Sequence, residues 1–170
     1  KIILCQQDYL DRLDQRAIEL KEDIRNYKIN SATLILAEMK ENAYYMVSFL
    51  YYFHQRSPEI RVFKETLSNP SIVSDKVWRA LSIDAARHFS KNAIQELVKY
   101  YTGIIELRLE SNRTLEEWAD LVRRQLLAYQ NSLDILESEL GFALSAARGE
   151  VFEINGVKLR INRQTGDVQK

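Results

Sequence analysis

Proline and glycine are scarce, at two and five residues in a chain of 170. With so few residues that break or reverse the backbone, the chain must consist of long regular elements, which favours helices. Cysteine is scarcer still. Cys5 stands alone, so an intrachain disulfide is excluded and only pairing between subunits is open to it. Histidine is limited to His54 and His88, and together with one thiol these are a thin supply for metal or nucleophilic chemistry. Charge of one sign is not in excess: Lys plus Arg equals Asp plus Glu at 24 each, leaving no net positive field to gather counterion-release energy from a phosphate backbone. Nucleic acid is therefore not an expected partner, and the short basic runs Arg123-Arg124 and Arg160–Arg163 read as solvated surface. No apolar run approaches the roughly 18 residues that span a bilayer. Gly-rich phosphate loops, G-x-S-x-G elbows and zinc-spaced cysteine pairs are missing as well, which removes the main nucleotide, hydrolase and zinc classes.

What is present is helical periodicity. Ile3, Gln6, Leu10, Leu13, Ala17, Leu20, Ile24, Tyr27, Ser31 and Leu34 step alternately by three and four with charged residues between them, a heptad seam. Ser31 is a good N-cap, so a break near Asn30-Ser31 is the alternative, but nothing there forbids continuation, and the reading favours one helix from the start of the sequence to about Gln55. Beyond Leu34 its pattern broadens until little polar face is left. Ser57-Pro58 predicts the start of a short helix ending near Leu67, followed by a loop at Ser68-Asn69-Pro70-Ser71. A further short helix is expected from Ser74 through Ala86 with Val77, Trp78 and Leu81 inward. Ser90 then opens a longer one to about Glu110, with Ala93, Ile94, Leu97, Val98, Tyr101, Ile104 and Ile105 as its apolar set.

Thr114 and Glu117 form a capping box, in which each side chain satisfies the other's free backbone N–H. The helix they start carries a second seam at Leu115, Trp118, Val122, Leu126, Tyr129, Leu133, Leu136, Leu140, Ala143 and Ala147, with Gly149 suited to its left-handed cap. After it the period changes. Val151–Ile154, Asn155-Gly156 and Val157–Ile161 give a hairpin with a type I′ turn, pairing Phe152 with Leu159, Glu153 with Lys158 and Ile154 with Val157. Thr165-Gly166 turns the chain again, so that Asp167-Val168 adds a third strand.

The fold expected is mainly α: an elongated antiparallel helical bundle with long first and last helices, residues 1–148, plus a C-terminal β-hairpin over 149–170. Because a helix of some 55 residues is on the order of 80 Å long, residues 1–30 are expected to project as a coiled-coil stalk.

Functional signals are few. Asp84 and His88, at i and i+4, share a helix face, but two ligands do not make a metal site. Neither histidine has the Glu three residues before it that di-iron bundles use, nor the preceding Arg of helical-bundle ribonucleases. No catalytic residue, metal or cofactor is expected. Tyr44, Tyr45, Phe49, Tyr51, Tyr52, Phe53 and His54 sweep round the helix axis and cannot all share one core face. Tyr44, Tyr45, Tyr51, Tyr52 and Trp78 are accordingly candidates for a ligand pocket or interface. The seam residues Leu10, Leu13, Ala17, Leu20, Ile24 and Tyr27 are candidates for self-association, with packing inside the bundle as the alternative.

Leu36-Ala37-Glu38-Met39-Lys40-Glu41-Asn42 resembles a pattern, L-x-E-[IM]-x-x-N, of small bacterial single-pass membrane proteins of unknown function. The resemblance covers roughly residues 30–105, and the C-terminal hairpin departs from it. It implies a helical module tethered by an N-terminal anchor, with no assigned activity and no catalytic residues to carry over. The apolar start at Ile2-Ile3-Leu4, in a sequence without an initiating Met, agrees with such an anchor upstream. The resulting expectation is a non-enzymatic interaction module, membrane-associated and on an unspecified side, that forms a homo-oligomer or meets another protein. A cytoplasmic placement and a ligand-sensing bundle are the alternatives.

Overall fold

A computed structural model describes residues 2–109, 112–141 and 150–170, with side chains from residue 7 onward. The chain forms five helices, α1 (Ile2–His54), α2 (Ile60–Ser68), α3 (Lys76–His88), α4 (Lys91–Leu109) and α5 (Leu115–Leu140), and three strands, β1 (Phe152–Ile154), β2 (Val157–Ile161) and β3 (Val168–Gln169). It is the mainly α fold with long first and last helices that the spacing predicts. α1 runs through Asn30-Ser31 without a break.

α1 and α5 lie antiparallel. Lys28 pairs with Glu139 near one end of the contact, and Phe49 meets Trp118 near the other. The strip of α1 that enters the bundle follows the N-terminal seam as far as Ser31, which is buried, and departs from the predicted positions after it. Ala32, Ile35, Met39, Asn42, Met46 and Phe49 are fully buried, whereas Leu34, the last seam position, is exposed. The buried strip lies one residue on from the predicted one, about 100° around the axis, because an unsupercoiled helix keeps 3.6 residues per turn and drifts off a 3.5-residue repeat. On α5 the predicted seam is the observed one, with Trp118, Val122, Leu126, Tyr129, Leu133 and Leu136 buried.

Several boundaries differ from expectation for local reasons. Pro58 and Glu59 form a turn in which Ile60 N–H bonds Ser57 O at 3.2 Å, so α2 starts at Ile60. α3 starts and ends two residues later than predicted. In α4 Val98 and Ile105 face outward, and Tyr100 and Leu107 fill the core in their place. α5 stops at Gly141, whose φ of 70° supplies the left-handed cap expected at Gly149; Ala143, Ala147 and Gly149 lie outside the described residues. The Thr114–Glu117 capping box is present in both directions.

The strands form one antiparallel sheet in the order β1-β2-β3. The first pairing has the expected register, Phe152↔Leu159, Glu153↔Lys158 and Ile154↔Val157, around Asn155 and Gly156 at φ 50° and 75°. The third strand follows one residue later than expected, with Ile161 opposite Val168. A hairpin alone is marginal, and here Phe152, Ile154 and Leu159 are buried in the same core as the helices.

Two carboxylates fasten these parts together. Glu139 on α5 accepts from Lys28 Nζ of α1 at 2.9 Å and from the N–H of Ser90, just before α4, at 3.0 Å. Asp167, just before β3, meets His54 Nε2 at the end of α1 at 2.7 Å and Arg123 Nε of α5 at 3.2 Å. Burial favours the protonated form of each. For Glu139 the hydrogen bonds and charge of Lys28 and the bonds from Ser90 outweigh it; for Asp167 those from His54 and Val168 and the charges of His54 and Arg123 do. Both acids are thus held below their ordinary values of 4.5 and 3.8. A depressed folded-state value stabilises fully above the unfolded value and is lost as pH falls through the folded one. Urea midpoints measured from pH 6 down to pH 2.5 should therefore decline below about pH 4.5, and Glu139→Gln with Asp167→Asn should make that decline shallower. An unchanged acid slope in the double variant would contradict this account.

Candidate functional site

The N-terminal half of α1 is where the chain offers a surface that its own fold does not use. Residues 7–23 form helix because good helix formers fill them without Gly or Pro, and Gln7–Asp11 and Gln15–Glu19 side chains bond across one turn at 3.0 and 3.1 Å. All of these residues are exposed. Burial begins at Ile24 and Tyr27, beside the Lys28–Glu139 tie, where α5 comes to its end.

Along this projection the seam candidates line up as the spacing predicts. Leu10, Leu13 and Leu20 are 53%, 43% and 61% exposed, and Ala17 is exposed between them. Tyr9 borders the strip and Ile18 lies about a quarter turn from it; both are exposed too. Ile24 is half-buried, and Tyr27 is half-buried with its ring against His88, centroids 4.6 Å apart. Among the described residues, packing within the bundle does not account for the seam from Leu10 to Leu20.

The five aromatic candidates do not converge. Tyr44 and Tyr45 meet edge to face; Tyr51 meets Tyr52, which stacks on Phe63 and accepts from Asn155 Nδ2 at 2.7 Å. Trp78 lies elsewhere, parallel to Tyr101 at 5.2 Å. The bundle surface has clefts of about 810, 680 and 390 Å³, lined respectively around Arg61 and Lys64, around His54 and Pro58, and around Gln95 and Asn131. None of these three includes any of the five rings. Asp84 pairs with Arg87 while His88 faces Tyr27, and among the described residues no three His, Cys, Asp or Glu side chains are grouped to hold a metal ion.

A polar cluster that composition did not reveal sits inside the bundle. Glu38 Oε1 accepts from Val77 N–H at 2.9 Å, and Oε2 from Trp78 N–H at 3.3 Å and Tyr101 O–H at 2.9 Å, so a side chain of α1 caps the start of α3. Burial, then the neighbouring Tyr100 and Glu38, push the Tyr101 hydroxyl far up, which keeps it a donor. Asn42 bonds both backbone groups of Ser74, at 2.7 and 2.8 Å. Beside it Arg108 pairs with buried Asp75 at 3.1 Å and donates to Val73 O at 2.6 Å. Glu38 and Asn42 are the polar members of the L-x-E-M-x-x-N segment, and here they position the loop between α2 and α3. One signal was available: two polar residues on a strip shared with Ile35, Met39 and Met46 imply buried partners.

No protein-family model matches the chain, and no curated protein or solved structure matches it either. Among the described residues, no helix is long and apolar enough to cross a membrane.

Proposed function

We propose that the protein is an interaction module that self-associates through the exposed seam of α1, the helical bundle being the body that this helix carries. The observation that supports the reading is the row Leu10, Leu13, Ala17 and Leu20 at heptad spacing on a helix segment that no other described element covers. Burying one such leucine is worth about 1.5–3 kcal/mol, and contiguous apolar surface of this kind marks association sites. Charged residues flank the seam on both sides, as in helices that pair in water. The membrane tether is a separate element of the proposal; it rests on the resemblance of residues 36–42 and would be supplied by a segment outside this sequence.

Sedimentation equilibrium across the micromolar range tests the association. The chain is expected to shift from monomer to oligomer with concentration. Leu13→Glu with Leu20→Glu should hold it monomeric, weakening association by about 100-fold or more, with the circular dichroism of the bundle unchanged. A wild-type chain that stays monomeric throughout would overturn the reading.

A further inference from the structure

We infer that the cleft where α1 ends binds a small organic phosphate, its phosphate monoester held by Arg56, Arg61 and His54 and its apolar body lying against Phe53, Ile60 and Leu115. This goes beyond the self-association reading and does not rest on it. The cleft measures about 680 Å³, within the range of sites that enclose small ligands. Its lining comes from the end of α1, the turn after it, the start of α2 and the first turn of α5.

The charges in this lining are left over by the fold. Arg56 and Arg61 are exposed, and neither guanidinium has an ion pair or a hydrogen bond among the described residues. Glu116 is the acid that lines the cleft with them, which leaves the lining positive before His54 is counted, in a chain with no net charge. His54 is held from behind: Nε2 meets Asp167 at 2.7 Å, so the ring is fixed and Nδ1 remains for a ligand. A planar guanidinium fork matches the oxygens of a phosphate, and two of them balance a dianion, where one suffices for a carboxylate. The neighbouring cleft of about 810 Å³ shares Arg61 and Leu115, but its other cations serve the fold. Lys64 lies over the Trp118 ring and donates to Arg113 O, and Arg113 pairs with Glu106.

The backbone points to the same place. α1 ends in a Schellman cap, in which Ser57 N–H bonds Tyr52 O and Arg56 N–H bonds Phe53 O, both at 3.1 Å. That cap puts residue 56 in the left-handed region, at φ 51°, where glycine is favoured. The other described positions with positive φ are Gly141, Asn155, Gly156 and Gly166, all residue types suited to it. Among the described residues, Arg56 alone carries a long charged side chain in this conformation. Its guanidinium makes no hydrogen bond to the last carbonyls of α1, so hydrogen bonding at the cap does not account for it. Backbone strain retained at a residue that borders a cleft points to a role in that cleft.

Titration of the full chain with phenyl phosphate, followed by proton–carbon NMR of the histidine rings, tests the assignment. The chain has two histidines, and His88, packed on Tyr27, reports any effect that is not local to the cleft. The His54 signals are expected to move and saturate while those of His88 stay in place. Arg56→Gly is the decisive variant, because glycine suits φ 51°: it should raise the thermal midpoint and weaken phenyl phosphate by about tenfold. Arg61→Gln should weaken it by a similar factor, whereas Arg124→Gln, at an exposed cation of α5, should leave it unchanged. His54 signals that never saturate, or an Arg124→Gln loss equal to that of Arg56→Gly, overturn the site. Phenylacetate binding as tightly as phenyl phosphate overturns the assignment to phosphate.

Discussion

Glu38→Ala should damage the helical core as much as truncating one of its large apolar side chains, lowering stability by about 3–5 kcal/mol. The side chain is buried and serves three donors on two other helices: Val77 N–H, Trp78 N–H and the Tyr101 hydroxyl. Alanine strips all three at once in a place that water reaches poorly. It also uncaps α3, whose own residue at the cap position, Asp75, makes no side-chain capping bond. Thermal unfolding should report a drop on the order of 10 °C for a chain of this size. Glu38→Gln keeps one acceptor and places an amide beside a donor, so it should cost about half as much. Tyr101→Phe removes a single hydroxyl and should cost about 1 kcal/mol. In combination with Glu38→Ala its cost should largely vanish, because the two groups act on each other. If Glu38→Ala shifts the midpoint by no more than a surface substitution, the capping role is wrong.

Much of the fold was legible in the sequence, and the reasons differ from element to element. The capping box at Thr114, the Asn155-Gly156 turn and the register of the first two strands are local: each depends on residues within a few positions, and each appears as read. α5 was legible along its described length because it is covered on one side only, so its apolar stripe and its buried stripe coincide. α1 was harder, since the 3.5-residue row read from its N-terminal half drifts off the helix face that the bundle covers, and beyond Ser31 the buried positions lie one residue on. Periodicity reports that a stripe exists and not what will cover it. The polar cluster was the least legible part. Glu38, Asn42, Asp75 and Arg108 come from three regions far apart in sequence, and only the path of the chain through the α2–α3 loop brings them together. The aromatic candidates scatter for a related reason: consecutive positions on a helix that meets several neighbours are shared among them.

The C-terminal sheet should depend on a single glycine. Gly166 has φ of 69°, and a Cβ at that position would come within 2.0 Å of the carbonyl oxygen of Arg123 on α5. Gly166→Ala therefore has two separate costs. The left-handed conformation costs an alanine about 1 kcal/mol. The collision with main chain cannot be relieved by rotating a side chain, so the turn must lift away from α5. The neighbouring ties, Asp167 to Arg123 and to His54, are then stretched or broken, and Phe152, Ile154 and Leu159 lose part of their cover. A total loss of about 3–5 kcal/mol is expected, capped by the free energy of releasing the sheet altogether. Gly156 provides the internal control. Its φ is 75°, but a Cβ there would meet nothing within 4 Å, so Gly156→Ala should cost only the conformational part, about 1 kcal/mol. Amide hydrogen exchange in β1 and β2 separates the two cases. In Gly166→Ala the strand amides should exchange far faster than those of α4, whereas in Gly156→Ala they should keep most of their protection. Equal effects from the two alanines would mean that backbone conformation alone matters at both turns, and that the close approach to α5 does not hold the sheet on the bundle.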